Sequence, residues 1–115
     1  MSVKLCAALG FCARAGKLIS GDFAVTKAVH SGTAKAVIVD FCASTATLKK
    51  WKNSCEYYNI DLFITDSPGK FSGKPEKIVF AVADAGFYEM IKKAYENDMQ
   101  SRSDIKDTNI NTGGN

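Results

Sequence analysis

The residues best placed for chemistry lie between Ile19 and Asp40, in the stretch ISGDFAVTKAVHSGTAKAVIVD. A Ser20-Gly21 turn precedes a short amphipathic helix that carries Lys27. A Ser31-Gly32 stop follows, and then a strand over Ala34–Asp40. The first amides of a helix have no intrahelical acceptor and sit at the positive end of its dipole, so they attract anions. Lys27, about a turn inside, adds a full positive charge. This combination suits phosphates or the edges of RNA. Taken alone, the local physics favours an ordinary strand–helix–strand connection with one solvated lysine. The rest of the chain shifts that balance.

Other reactive groups offer little. There is one histidine, no GxSxG elbow and no carboxylate cluster at metal spacing, so no catalytic residue is assigned. Asp40 and Asp66 fall near strand ends, where acids more often cap turns than catalyse. His30, near the end of the second helix, suits the dipole there. Cys6, Cys12, Cys42 and Cys55 form no CxxC pair. With a single histidine, they do not make a zinc site. Free thiols on apolar helix faces in a reducing compartment are expected, with no disulfide, metal or cofactor. Gly69 and Gly73 in SPGKFSGK lack the full GxxxxGK[ST] phosphate-loop pattern.

Charge is uneven along the 115 residues, whose formal net charge is +3. Residues 1–52 hold eight basic and two acidic residues, a net +6, and the remainder holds seven basic and ten acidic, a net −3. Such asymmetry hints at nucleic-acid contact through one face. Lys49, Lys50 and Lys52 read as a solvated helix face, whereas Arg14, Lys17 and Lys27 flank the Gly21 turn. The length suits one domain that buries about two thirds of its unfolded surface. No apolar run approaches the roughly 20 residues a bilayer requires. The N-terminal apolar patch is broken by Gly10, Arg14 and Gly16, unlike a signal peptide, so a cytoplasmic location is expected.

The elements follow from periodicity. Leu5, Ala8, Leu9 and Cys12 mark a first helix, and Lys17–Ser20 a short strand. The second helix spans about Asp22–Ser31 with Val25, Ala28 and Val29 inward. Ser44 caps a helix to about Tyr58, with Leu48, Trp51, Cys55 and Tyr58 on its inner face. Asp61–Thr65 is a strand, Ser67–Lys74 a turn or short helix, and Lys77–Ala83 a final strand. Asp84 caps a last helix with stripe Phe87, Met90, Ile91, Ala94 and Tyr95. Helices alternating with strands indicate a layered α/β/α sandwich around a small, mostly parallel sheet. The polar segment 98–115 reads as a disordered tail beyond a domain of residues 1–97.

Four pieces in this order carry a resemblance: LGFCARAGKLISGDFAVTKAVHSGTAKAVIVDFCAS, CEYYNIDLFI, PGKFSGK and FAVADAGFYEMI. They resemble the kink-turn RNA-binding ribosomal proteins, the superfamily of archaeal ribosomal proteins L-seven-Ae and L-thirty-e, and within it the small bacterial YlxQ-like branch. The resemblance covers roughly Val3–Ala94. It implies a three-layer α/β/α sandwich with a four-stranded mixed sheet. It further implies a non-enzymatic protein that binds kinked structured RNA, ribosomal RNA included, and that is monomeric when free. By resemblance, Gly21, Asp22, Thr26 and Lys27 belong to the RNA-reading helix terminus. Phe23 and Ala24 stand where that family has an Asn-Glu pair, and neither offers a side-chain hydrogen bond. Phe23 either stacks on RNA or packs in the core. Gly69, Gly73, Lys74 and Pro75 match the second RNA-contacting loop, in which Pro68 replaces the usual Leu. The alternative is a protein-interaction module on the same fold with a decayed RNA face, as in the growth-arrest and DNA-damage-inducible proteins.

Overall fold

A computed structural model describes residues 2–113, with side chains described for residues 2–100. The elements are α1 (Val3–Arg14), β1 (Leu18–Ser20), α2 (Asp22–His30), β2 (Ala36–Asp40), α3 (Thr45–Tyr58), β3 (Asp61–Thr65), α4 (Pro68–Ser72), β4 (Val79–Val82) and α5 (Ala85–Gly113). Local chemistry sets most of the helix starts. Ser2 accepts the Leu5 N–H at 3.2 Å, and Ser44 accepts the Thr47 N–H at 3.2 Å, each satisfying an otherwise orphaned amide. Asp84 does the same for α5, accepting the Phe87 N–H at 2.9 Å.

The sheet has the order β1-β4-β2-β3. β4 runs antiparallel to both β1 and β2, and β2 and β3 are parallel. The mixed four-stranded sheet is therefore present, and the expectation of a mostly parallel sheet is corrected. β1, β2 and β3 do share one direction, as the alternation with helices suggests. The last strand is inserted between two of them the other way round. Alternation alone does not reveal this, because the connection from β3 to β4, residues 66–78, is long enough for a parallel crossover, and only the pairing of β4 shows that the five-residue α4 does not make one.

Alternating strand residues feed two cores. Ala36, Ile38, Phe80 and Val82 pack against Leu5, Ala8, Leu9 and Cys12 of α1 and Ile91 and Ala94 of α5. Val37, Val39, Val79 and Ala81 pack against Val25, Ala28 and Val29 of α2 and Trp51 and Cys55 of α3. This is a three-layer arrangement with helices on both faces, and it makes the central strands apolar on both sides. Two residues depart from their expected stripes. Tyr58 is 39% exposed, since it ends α3 beside left-handed Asn59 and meets His30 rather than the core. Met90 is exposed at the rim of its stripe, facing the groove between α1 and α5.

α5 is tied down at its start and middle. The Tyr88 hydroxyl donates to Asp61 Oδ2 at 2.5 Å, and the Ser2 N–H donates to Asp98 Oδ2 at 3.0 Å. The bounds of α5 run past residue 97 into the segment expected to be a tail; its side chains from 101 on, and residues 114–115, lie outside the described residues. Among the described residues no helix is long and apolar enough to cross a membrane, and no cluster of His, Cys, Asp and Glu could hold a metal.

All four cysteines are free thiols; Cys12 and Cys55 are buried and Cys42 is exposed. Burial pushes the Cys12 thiol up to about 11, with the negative charge of Asp84 adding to it. Cys55 is likewise pushed up to about 11, by burial and then by Asp61. The folded protein thus holds these protons more tightly than the unfolded chain, whose thiols keep the ordinary value of 9.0. Their contribution to stability is complete below pH 9 and falls as pH rises through the window from 9 to 11, at up to about 1.4 kcal/mol per thiol per pH unit. Urea midpoints across that window should therefore drop more steeply for the wild type than for a Cys12→Ala, Cys55→Ala variant. Parallel profiles would contradict this linkage.

Candidate nucleic-acid interface

Three strands running one way end at one edge of the sheet. There the backbone links neighbours in a row. The Gly21 N–H donates to Val79 O at 2.9 Å, the Asp40 N–H to Ile78 O at 2.8 Å, and the Phe41 N–H to Thr65 O at 2.8 Å. α2, α3 and α4 all begin at this edge, the position where open α/β sheets bind ligands.

Gly21 occupies the N-cap of α2 with φ 96° and ψ 148°, a conformation that suits glycine. Among the described residues no side chain caps this helix, so its leading amides are turned to the surface without a protein partner there. A Cβ on Gly21 would lie 3.6 Å from Lys77 Nζ, which places that ammonium over the helix terminus. Phe23 is 81% exposed. Val25, Ala28 and Val29 take the inner face of α2, and a residue two positions before Val25 falls about 200° around the helix, toward solvent. Core packing of Phe23 is thereby excluded. Phe23, Lys27 and His30 share the outer face at i, i+4 and i+7. Ala24 is half-buried beside them.

The acid at the terminus is engaged. Both Asp22 carboxylate oxygens accept from Lys50 Nζ at 2.8 Å, and Thr26 Oγ1 reaches Asp22 Oδ1 at 3.5 Å. The ion pair is half exposed and contributes at most about 1 kcal/mol to stability. Its consequence is positional, because it holds Lys50 of α3 against α2. Lys50 also stands 5.0 Å from the Trp51 ring centroid. Between the two helices runs an open groove of about 890 Å³ lined by Phe23, Lys27, His30 and Lys50 among others.

The loop joining α4 to β4 completes the edge. Gly69 is buried, and a Cβ there would lie 2.4 Å from the Lys74 carbonyl oxygen and 2.8 Å from that of Lys77. The Lys74 N–H donates to Gly69 O at 2.9 Å, so the loop doubles back onto the first turn of α4. Gly73 ends α4 in the left-handed region, and Lys74 and Pro75 stand exposed beyond it. Gly69 thus shapes the loop, while Lys74 and Pro75 present it.

Not every expected residue joins this cluster. Lys17 lies at the opposite end of β1, where its carbonyl accepts the Ala83 N–H at 2.9 Å. Arg14 lies on α1, in the layer across the sheet from α2, with its guanidinium 5.0 Å from the Phe11 ring centroid. Neither flanks the Gly21 turn in space, since proximity in the chain is undone by the length of β1 and the end of α1. Conversely, Lys50 and Lys77 are at the cluster, and exposed Phe41 stands further along the same edge on the side of Leu5 and Tyr95, although nothing in their sequence context marks them. Only the order of strands brings them there.

No protein-family model matches the chain. The RNA-binding protein YlxQ of Bacillus subtilis (strain 168) is 37% identical over 82 residues, covering 69% of this chain and 82% of that protein. RNA-binding protein YlxQ of Enterococcus faecium is 36% identical over 91 residues, covering 76% and 87%. A solved structure of a protein with unknown function from Bacillus halodurans C has a TM-score of 0.78 at 33% identity, covering 83% of this chain and 99% of that one. The Giardia lamblia 15.5kD RNA binding protein shares the fold, with a TM-score of 0.63 at 14% identity over 83% and 84% of the two chains.

The close approach at Gly69 generates a stability test. Gly69→Ala should destabilise the protein by about 1–3 kcal/mol, the scale of overpacking against backbone that cannot move aside. Gly73→Ala meets open space, and its cost is confined to its positive φ, about 1 kcal/mol. Equal melting temperatures for Gly69→Ala and wild type would show that the loop has another resting place.

Proposed function

The chain belongs to the family of the RNA-binding protein YlxQ, and we propose that it binds structured RNA bent as in a kink-turn, ribosomal RNA included, without catalysing a reaction. The observation that carries this reading is the uncapped terminus of α2 at Gly21, with Phe23 and Lys27 facing outward and Lys77 overhead. Phosphate oxygens accept from the leading α2 amides, and Lys27 and Lys77 neutralise their charge. Phe23 supplies a stacking surface in place of hydrogen-bonded base reading, since neither it nor Ala24 carries a polar side chain. The contacting set is Gly21, Asp22, Phe23, Ala24, Thr26 and Lys27, with Lys74 and Pro75 on the loop shaped by Gly69 and Gly73. Arg14 and Lys17 fall outside it. The protein acts as a monomer.

One observation favours a second reading. Phe23 and Phe41 are both largely exposed at this edge, as on a surface that docks another protein. A gel-shift titration separates the two readings. The RNA reading requires tighter binding to a kink-turn than to a straight duplex of the same length. Equal or absent binding leaves the protein-interaction reading.

With about three to five phosphates neutralised, log affinity should fall with log salt at a slope of roughly −2 to −5. Lys27→Ala should weaken binding by about 1–3 kcal/mol with an unchanged melting temperature, Lys27 being exposed. Unchanged affinity would remove Lys27 from the interface. Phe23→Asn combined with Ala24→Glu should leave the fold intact and raise preference for tandem G·A pairs, by about 1–3 kcal/mol for each guanine edge that the new side chains read. Weaker binding by this variant would mean that the stacking lost with Phe23 outweighs the base contacts that the new side chains make.

A further inference from the structure

The proposed terminus is the start of a longer surface. Phe23, Lys27 and His30 follow one another along the outer face of α2 over about 10 Å. At the far end the row continues onto α3 through rings. The His30 and Tyr58 centroids are 5.3 Å apart with planes tilted by 33°. Tyr58 meets Tyr57 edge-on at 4.9 Å. Tyr57 is 82% exposed, a large aromatic left in water at a helix end where nothing in the core requires it. Lys50 rises between the two helices, and its partner Asp22 is the only acid lining the groove among the described residues. Lys27 has no ion-pair partner among the described residues, so it gives the groove its excess positive charge.

A row of exposed rings interleaved with cations has a specific chemical complement. Unpaired bases stack on aromatic faces whatever their sequence, while the phosphates between them meet the ammonium groups. A duplex cannot use such a row, because its bases are already stacked on one another. We propose that the α2–α3 face, from Phe23 through Lys27 and His30 to Tyr58 and Tyr57, is a track for single-stranded RNA running on from the helix terminus. This rests on the RNA-binding reading of that terminus. It extends the ligand from a bent duplex to a bent duplex with an unpaired flank. Stacking supplies most of the added affinity, because the row carries three aromatic rings and the imidazole of His30 but only two lysines, one of them already paired.

The test uses the full chain and four RNAs: a blunt kink-turn, the same kink-turn with a tail of about six adenosines, and a straight duplex with and without that tail. The tail should tighten binding of wild type by about five-fold to a hundred-fold, the range for stacking of one base. The increment should add only roughly −0.7 to −1.4 to the salt slope, as for one or two single-strand phosphates. Tyr57→Ala with Tyr58→Ala should abolish the increment and leave blunt kink-turn affinity unchanged, whereas Tyr57→Phe with Tyr58→Phe should retain it. A tail without effect on either RNA, or a loss in the alanine variant that is equal for blunt and tailed RNA, overturns the track and leaves the face to a protein partner. If the tail strengthens both RNAs while the blunt ones bind alike, the track stands and the kink-turn reading falls.

Discussion

The structure depends on the antiparallel insertion of β4 between β1 and β2. That strand is hydrogen-bonded on both sides and apolar on both faces, so it cannot be withdrawn without opening both cores. Its N-terminal end lies where β1, β2 and β3 finish. The loop feeding it is therefore forced against the start of α2. Lys77 reaches Gly21 because Val79 is bonded to Gly21, and the loop has nowhere else to come from. One strand-pairing decision thus assembles a surface from residues more than 50 positions apart.

Two glycines turn that constraint into a usable surface, each for a different reason. Gly21 provides a backbone conformation that leaves the α2 terminus uncapped and open. Gly69 provides space, since any side chain would meet the carbonyls of Lys74 and Lys77. The Asp22–Lys50 pair acts on the same surface at little energetic consequence. An exposed ion pair barely stabilises the fold, yet it settles where an ammonium group stands. Position, rather than stability, is what the polar groups at this edge contribute.

Exposure is equally uneven among the aromatics, and the pattern is informative. Trp51, Phe63 and Phe80 fill the cores, whereas Phe23, Phe41 and Tyr57 are left in water. Leaving a large ring exposed forgoes roughly 2 kcal/mol of burial. Phe23 shares a groove with Lys27 and Lys50, and neither it nor Tyr57 is needed to cover a core.

Much of the fold was legible in the sequence because it depends on neighbours within about one helical turn. The spacing of Leu5, Ala8, Leu9 and Cys12, the Ser44 cap, the Asp84 cap and the two-sided apolar strand read over Ala34–Asp40 are all local signals, and each appears in the structure, the strand starting two residues later at Ala36. The positions of Gly21 at the start of α2 and of Lys27 within it were legible for the same reason. The direction of β4, the surface position of Phe23, the displacement of Arg14 and Lys17, and the arrival of Lys50 and Lys77 were not. Each depends on which strands pair and on which side of a helix the core lies. Pairing joins distant segments, and its free energy is carried by no single one of them. A lysine at position 50 looks like any solvated lysine until the sheet brings α3 beside α2 and an aspartate stands 2.8 Å away.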